Sequence, residues 1–230
     1  MSAGQSGDSS PVPPVPMGHP LTYRWVFYHM MFDRERSWEE CLMPVATFDT
    51  VEDFWRIYNH IQKPSSLHPG SDYYIFKEGI RPMWEDPRNI NGGRWLLNVE
   101  QGREKECNVD FYWLETLMLM LGEQFESYGS YVCGAVVNVR SKGDKVSLWT
   151  FDAMRDDANL KIGRIMQSTL QLNDRQRMKY EKHTDTSKRS GSTVKPRIVL
   201  QGKTETVNDG QRTKGQETNA STPSTPTLAK

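Results

Sequence analysis

The sequence predicts an α+β domain in which an antiparallel sheet carries helices on one face. Three observations lead to this fold class. Short runs of alternating apolar and polar residues recur along the chain, as half-buried strands require. Glycine, asparagine and aspartate separate several of these runs and favour tight turns. Three other stretches place apolar residues at the spacing of an amphipathic helix.

Six runs are predicted to be strands. They cover residues 23–28, 42–48, 73–76, 95–99, 132–139 and 145–151. Turn chemistry between them comes from Asp72, from Asn91-Gly92-Gly93 and from Lys142-Gly143-Asp144. Because the runs have period two and are joined by turns, we expect an antiparallel sheet.

Three stretches are predicted to be helices. The first starts near Asp49, which resembles a capping box with Glu52. The second covers residues 108–121, and Gly122 is predicted to end it in the left-handed conformation. The third starts at Asp156-Asp157, where acidic charge suits a helix N-terminus. The predicted buried positions are Phe54, Ile57, Tyr58 and Ile61 in the first helix, and Ala158, Ile162, Ile165, Met166 and Thr169 in the third.

Composition divides the 230 residues into one domain and two tails. Residues 1–17 contain four prolines and few residues to bury, and residues 201–230 are rich in Thr, Ser, Gln, Gly and Pro. Neither segment can bury enough apolar surface to offset the entropy lost on ordering. We therefore predict disordered segments at 1–17 and 201–230 around a domain at 18–200, which holds all seven tryptophans.

The charge balance and the cysteines exclude several classes of protein. The 29 basic and 29 acidic residues give zero formal charge, so nucleic-acid binding would need a local site. Cys41, Cys107 and Cys133 include no close pair, which argues against zinc fingers and disulfide frameworks. There is no transmembrane-length apolar run and no signal-peptide pattern. We expect a cytoplasmic protein that binds no membrane, metal or cofactor.

The common catalytic patterns do not occur in the sequence. The five histidines lack HExxH spacing, and there is no GxSxG elbow, phosphate loop or GxGxxG motif. Cys133 lies in an apolar run, which is typical of an inert core cysteine. We predict that the protein is not an enzyme.

Two tryptophans in polar segments are candidates for binding a flat aromatic ligand. Trp84 lies between Pro82 and Pro87, and Trp38 lies in a highly charged stretch. One ring on each side would enclose the ligand, and the Glu85 carboxylate would accept hydrogen bonds from its donor edge. The alternative, that both rings fold back over the core, is equally open on the sequence alone.

A basic turn between two predicted strands is a candidate phosphate site. It contains Arg140, Lys142 and Lys145, and the loop with Lys188, Arg189 and Lys195 adds further positive charge. Ordinary solvated surface charge explains the same pattern and is the more frequent case.

Apolar pairs on two predicted helices suggest a groove for a partner helix. Val51 and Trp55 are four residues apart, as are Leu114 and Met118, with Glu115 beside them. The alternative is that both pairs belong to the core.

Several long stretches together resemble the eukaryotic translation initiation factor 4E family, whose members bind the 5′ cap of messenger RNA. The resemblance covers about residues 19–200. It is carried by HPL from His19, FDTVEDFWRIYNHIQ from Phe48, PMWED from Pro82, GGRWL from Gly92, WLETL from Trp113, VCGAVVNVRSKGDK from Val132 and SGSTVK from Ser190.

The resemblance implies a fold and a cap site. The fold would be a curved eight-stranded antiparallel sheet with three helices on its convex face. Trp38 and Trp84 would enclose 7-methylguanine, Glu85 would accept from its N1–H and 2-amino groups, and Trp149 would lie near the methyl group. The implied phosphate ligands are Arg140, Lys145, Lys188 and Arg189, and Ser192 would be a phosphorylation site.

The resemblance also implies a partner groove on the helical side. It would receive initiation factor 4G or 4E-binding proteins, so that a monomeric protein recruits capped messages to ribosomes. The implied groove residues are His19, Pro20, Val51, Trp55, Leu114, Glu115, Met118 and Gly122. An alternative role is a repressor or messenger-RNP scaffold with a non-4G partner, which would add cytoplasmic granules as a location.

One departure from the family pattern concerns the width of the cap slot. Tyr28 replaces a tryptophan that is common in the first strand of the family. We hypothesise that the altered strand loosens the Trp38 segment and lets the slot accept 2,2,7-trimethylguanosine as well as 7-methylguanosine.

Overall fold

The computed structural model describes residues 18–99, 105–187 and 195–202. Its strands are β1 (Pro20–Met31), β2 (Leu42–Thr50), β3 (Ser71–Lys77), β4 (Gly93–Val99), β5 (Val132–Asn138), β6 (Asp144–Thr150), β7 (Arg177–Lys182) and β8 (Ile198–Gln201). The helices in these ranges are α1 (Trp38–Cys41), α2 (Val51–Tyr58), α3 (Lys105–Leu121), α4 (Asp156–Thr169) and α5 (His183–Ser187). The predicted tail at 1–17 lies outside the described residues, as does 203–230.

The eight strands form one open, curved antiparallel sheet in the order β2-β1-β3-β5-β6-β4-β7-β8. The prediction of an α+β fold with this sheet is confirmed, and the six predicted runs correspond to β1 to β6. The alternation of residues did not reveal β7, in which four of six residues are charged, or β8, which has four residues. Met178 and Tyr180 of β7 are nevertheless fully buried, so tertiary packing stabilises this strand.

The two faces of the sheet carry different clusters. Trp25, Trp95 and Trp113 are at most 2% exposed in the main core, which lies between the sheet and helices α2, α3 and α4. A smaller cluster covers the other face, here called the concave face. Its members are Met30, Cys41, Tyr74, Phe76, Ile80, Cys133, Val136 and Trp149. Period-two alternation assigns neighbouring residues of each strand to opposite clusters.

The predicted cap of α2 is wrong by one residue. Asp49 lies within β2, and Thr50 is the N-cap. The Thr50 hydroxyl accepts from the backbone N–H of Asp53 at 3.1 Å and also contacts the Asp53 carboxylate at 2.9 Å. Both Asp49 and Thr50 are suitable capping residues, so the strand register decides which of them caps the helix.

The predicted end of α3 at Leu121 is confirmed, but the left-handed residue after it is one position later than predicted. Gly122 continues the helical hydrogen bonding to the Met118 carbonyl at 3.0 Å, and Glu123 is the left-handed residue with φ of 53°. The N–H of Gln124 reaches the Leu119 carbonyl at 3.0 Å, which completes a Schellman-type end. A Cβ on Gly122 would lie 2.7 Å from the Met118 oxygen, so close approach explains the glycine here.

A glycine in α4 permits a close contact between this helix and the sheet. A Cβ on Gly163 would lie 2.2 Å from a ring carbon of Trp95, which is fully buried and donates to the Asn159 carbonyl at 2.9 Å. We expect Gly163→Ala to lower the free energy of unfolding by about 1–3 kcal/mol, because overpacking forces the ring or the helix to move. Urea unfolding measures this change.

Gly129→Ala is the matched control, because its added Cβ would meet no atom within 4 Å. If both variants unfold at the same urea concentration, the Gly163–Trp95 contact does not restrict the packing of α4.

Candidate functional site

Trp38 is held in place by α1 on the concave side. The Ser37 hydroxyl accepts from the Glu40 N–H at 3.2 Å, and the Glu40 carboxylate accepts from the Ser37 N–H at 2.8 Å. These bonds form a capping box and lower the pKa of Glu40. The charged stretch therefore contains a short helix that was not predicted, although the pattern Ser-x-x-Glu would have revealed it. The Trp38 ring stands edge-on to Tyr74 at 6.4 Å and is 36% exposed.

Trp84 lies in the loop between β3 and β4, which buried side chains stabilise. The Asp86 carboxylate accepts from the backbone N–H groups of Arg81 and Arg88 at 2.9 and 2.8 Å. The Asn89 amide donates to the carbonyls of Arg81 and Met83, both at 2.8 Å. Trp84 itself is 38% exposed, so the loop is fixed while its aromatic ring faces solvent.

An ion pair connects the two segments that carry these rings. Arg81 lies 3.7 Å from the Glu39 carboxylate, with more than half of each side chain exposed. Among the described residues, neither Glu85 nor the backbone N–H of Trp84 has a hydrogen-bond partner. An acceptor and a donor are thus available beside two exposed rings.

Trp149 forms part of the concave face next to these segments. It is 7% exposed, stands edge-on to Phe76 at 5.4 Å and contacts the His183 ring at 4.1 Å. Burial lowers the pKa of His183 to about 3, so this imidazole is neutral at physiological pH. Trp149 therefore offers a ring edge above a packed cluster, and it has no large free stacking face.

Arg140 is bound to an acid that the sequence interpretation treated as a turn residue. Its guanidinium contacts the two carboxylate oxygens of Asp72 at 2.5 and 3.0 Å, and Asp72 is 1% exposed. This pairing raises the pKa of Arg140 and fixes the side chain. The guanidinium also donates to the Val139 carbonyl at 2.8 Å, and the side chain is 40% exposed, so part of its charge faces solvent.

Lys145 is exposed at the start of β6. It lies four residues before Trp149 on the same strand, so both side chains project from the concave face. Lys188, Arg189 and Ser192 lie outside the described residues.

On the helical side, His19 and Pro20 are joined to the start of α2. The His19 ring lies 2.6 Å from the Glu52 carboxylate, which also accepts from the His19 N–H at 2.8 Å. The pKa of His19 is raised by Glu52, and that of Glu52 falls to about 2 because of these bonds. The His19 carbonyl accepts from the Val51 N–H at 2.9 Å. Glu52 thus positions His19, whose carbonyl in turn binds the first residue of α2.

The predicted apolar groove residues of α2 and α3 are at least partly exposed, and two of them also pack against the core. Val51 is 37% exposed, while Trp55 and Met118 are half-buried and pack against the main core. Phe111, which is 41% exposed, was missed. It lies three and seven residues before Leu114 and Met118, so helical spacing alone would have placed it on the same face.

A family model for eukaryotic initiation factor 4E matches residues 20–197, which is most of the chain. The chain belongs to the eukaryotic initiation factor 4E family. It is 54% identical to translation initiation factor 4E-3 of Caenorhabditis elegans over 200 residues, covering 86% of this chain and 80% of that protein. Human translation initiation factor 4E is 46% identical over 182 residues, which cover 79% of this chain and 83% of the human protein.

Solved structures of the initiation factor 4E family agree with the fold. The Ascaris suum eIF4E-3 complex with the m2,2,7G cap superposes with a TM-score of 0.75 at 55% identity, covering 80% of this chain and 99% of that one. The complex of C. elegans eIF4E-3 with the 4E-binding protein Mextli gives 0.74 at 54% identity, covering 79% and 99%.

The described residues also bear on metal binding, membrane insertion and thiol chemistry. In the described part of the chain, no group of three or more His, Cys, Asp and Glu side chains converges as a metal site would require. No described helix is both long and apolar enough to cross a bilayer. Cys41 and Cys133 are buried free thiols, and burial raises the pKa of Cys133 to about 12.

Proposed function

We propose that this initiation factor 4E family member binds the 7-methylguanosine cap of messenger RNA between Trp38 and Trp84. The observation that carries the proposal is that two separately stabilised segments each hold an exposed tryptophan, with an unpaired carboxylate at Glu85 beside one ring. A flat, cationic base with donors on one edge fits this arrangement. Ordinary core tryptophans would not be more than a third exposed.

Methylation of the base decides the affinity. N7 methylation makes guanine cationic, so each ring contributes cation–π attraction as well as stacking. Stacking is worth roughly 1–3 kcal/mol per base, and a desolvated cation–π contact about 2 kcal/mol. Glu85 accepts from N1–H and the 2-amino group, the Trp84 N–H donates to O6, and the negative carboxylate favours the cationic base. Arg140 and Lys145 hold the triphosphate without selecting the base.

The same slot accepts the trimethylguanosine cap. Trimethylation removes both N–H donors of the 2-amino group, but the N1–H of the base can still donate to Glu85. The Glu39–Arg81 pair joins the two ring-bearing segments through exposed charges, and such pairs contribute only about 0–1 kcal/mol. Tyr28 is half-buried under the concave cluster and close to Arg81. A weakly tethered Trp38 segment can move outward to accommodate two additional methyl groups.

The groove on α2 and α3 recruits a protein partner by binding an amphipathic helix. Val51, Trp55, Leu114 and Met118 offer apolar surface beside the Glu115 carboxylate, which suits a Tyr-x4-Leu-Φ helix of initiation factor 4G or a 4E-binding protein. In the activating role, the 4G complex brings the capped message to ribosomes.

A repressor role is the second candidate, because the C. elegans relative was solved with the 4E-binding protein Mextli. Competition between a 4G peptide and a 4E-binding-protein peptide distinguishes the two roles. Preference for the 4G peptide supports activation, and preference for the other peptide supports repression.

Titration of intrinsic tryptophan fluorescence with 7-methyl-GTP, trimethyl-GTP and GTP tests the cap site. We expect quenching by both methylated nucleotides and an affinity for 7-methyl-GTP over a hundredfold above that for GTP, since about 3 kcal/mol of charge-dependent attraction is lost without methylation. Equal binding of all three nucleotides would refute the proposed cap site. A trimethyl-GTP affinity no better than that of GTP would refute only the proposed binding of the trimethylguanosine cap.

A further inference from the structure

Three cations lie along the concave face, starting within the proposed triphosphate site and continuing past it. They are Lys145 of β6 and Arg177 and Lys179 of β7, here called the outer basic row. Lys145 and Arg177 are exposed, and Lys179 is half-exposed. Only Lys145 has a role in the proposed cap site, so the two β7 residues require another explanation.

The strand register places these side chains on one face. Lys145 pairs with Asn98 of β4, and Leu96 of β4 pairs with Lys179 of β7. Leu97, between Leu96 and Asn98 in β4, pairs with Met178, between Arg177 and Lys179 in β7. Both belong to the main core on the opposite face. By alternation, Asn98, Leu96 and both β7 cations project from the concave face.

Within the part of the chain that the structure describes, the outer basic row has no compensating ion pair. None of its three side chains forms an ion pair with another described residue, whereas Arg94 on the same face is paired with Glu181 at 3.3 Å. Glu181 is the acidic residue of β7 on this face, and it is already neutralised by that pair. A local positive potential therefore remains on a chain whose formal charge is zero.

The spacing of the row fits a nucleotide chain. Strands are about 4.8 Å apart, so β6 and β7, with β4 between them, are about 10 Å apart. One to two nucleotides of an extended strand span that distance, and flexible Lys and Arg side chains add reach. Exposed Asn98 lies between them and presents an amide to the same path.

We infer that Arg177 and Lys179 bind the phosphodiester groups of the first nucleotides after the cap. The inference rests on the proposed cap site, which brings the triphosphate to Lys145 and directs the chain toward β7. Contacts of this kind add affinity and salt dependence for capped RNA of any sequence. They do not change the affinity for the isolated cap nucleotide, whose phosphates end near Lys145.

The test compares full-length wild type with the double variant Arg177→Ala/Lys179→Ala. Binding of 7-methyl-GTP and of a capped RNA of about ten nucleotides is measured by fluorescence anisotropy and competition between 50 and 200 mM salt. Each lost phosphate contact should lower the log–log salt slope for single-stranded RNA by about 0.7. Over that fourfold salt range, the affinity of wild type for capped RNA should fall about sevenfold more than the affinity of the variant. Both proteins should bind 7-methyl-GTP with equal affinity.

Lys63→Ala/Arg164→Ala is the matched control, because it removes two exposed cations elsewhere that form no ion pair with described residues. It should retain the wild-type salt slope. If wild type binds 7-methyl-GTP but the β7 variant keeps the wild-type slope for capped RNA, the outer basic row does not bind RNA. If wild type fails to bind 7-methyl-GTP, the proposed cap site itself is wrong.

Discussion

Trp84→Ala is expected to weaken binding of 7-methyl-GTP by roughly a hundredfold or more. The substitution removes one of the two proposed stacking rings together with its cation–π attraction, a loss of about 3 kcal/mol. Trp84 is 38% exposed in a loop that Asp86 and Asn89 hold through their own hydrogen bonds, so its removal should leave the fold intact. Isothermal titration measures the affinity without depending on the fluorescence of the deleted residue.

Two further variants show whether the lost affinity comes from the ring. Ile90→Ala changes a residue of the same loop with 39% exposure and should keep wild-type affinity. Trp84→Phe retains a smaller aromatic face and should have intermediate affinity. An affinity within threefold of wild type for Trp84→Ala, with an unchanged unfolding midpoint, would mean that this ring does not stack on the cap.

Trp55→Ala is expected to weaken binding of a Tyr-x4-Leu-Φ peptide by about thirtyfold. Tryptophans in a helical groove are frequent binding hot spots, and truncation there costs about 2 kcal/mol or more. Trp55 is half-buried, contacts Phe54 and Tyr58, and follows Val51 by one helical turn. Fluorescence anisotropy of a labelled peptide measures the affinity.

A second substitution separates binding from folding, because Trp55 also packs against the core. Val51→Asp places a charge on a 37% exposed position, and acidic residues are tolerated in the first turn of a helix. It should lower peptide affinity without lowering the unfolding midpoint. Arg56→Ala, on the exposed side of α2, is the control and should bind like wild type. Tight peptide binding by both groove variants would place the partner surface elsewhere.

Much of the local structure was predictable from the sequence. Six strands followed from period-two patterns and three helices from apolar spacing, because burial on one face imposes these periods directly. The errors occurred where two adjacent residues were suitable for one role, as with Asp49 and Thr50, or where charge concealed a strand, as in β7. The capping box of Ser37 and Glu40 was also present in the sequence and went unused.

The sequence by itself determined that Trp38 and Trp84 lie in polar segments and that Val51 and Trp55 share a helical face. These properties depend on residues only a few positions apart. Only the tertiary structure decided that Asp72 fixes Arg140, 68 residues away, and that β4 and β7 bring Arg177 and Lys179 onto the face of Lys145. The order β5-β6-β4-β7 differs from the chain order. Such pairings depend on how the whole core packs, which no local pattern encodes.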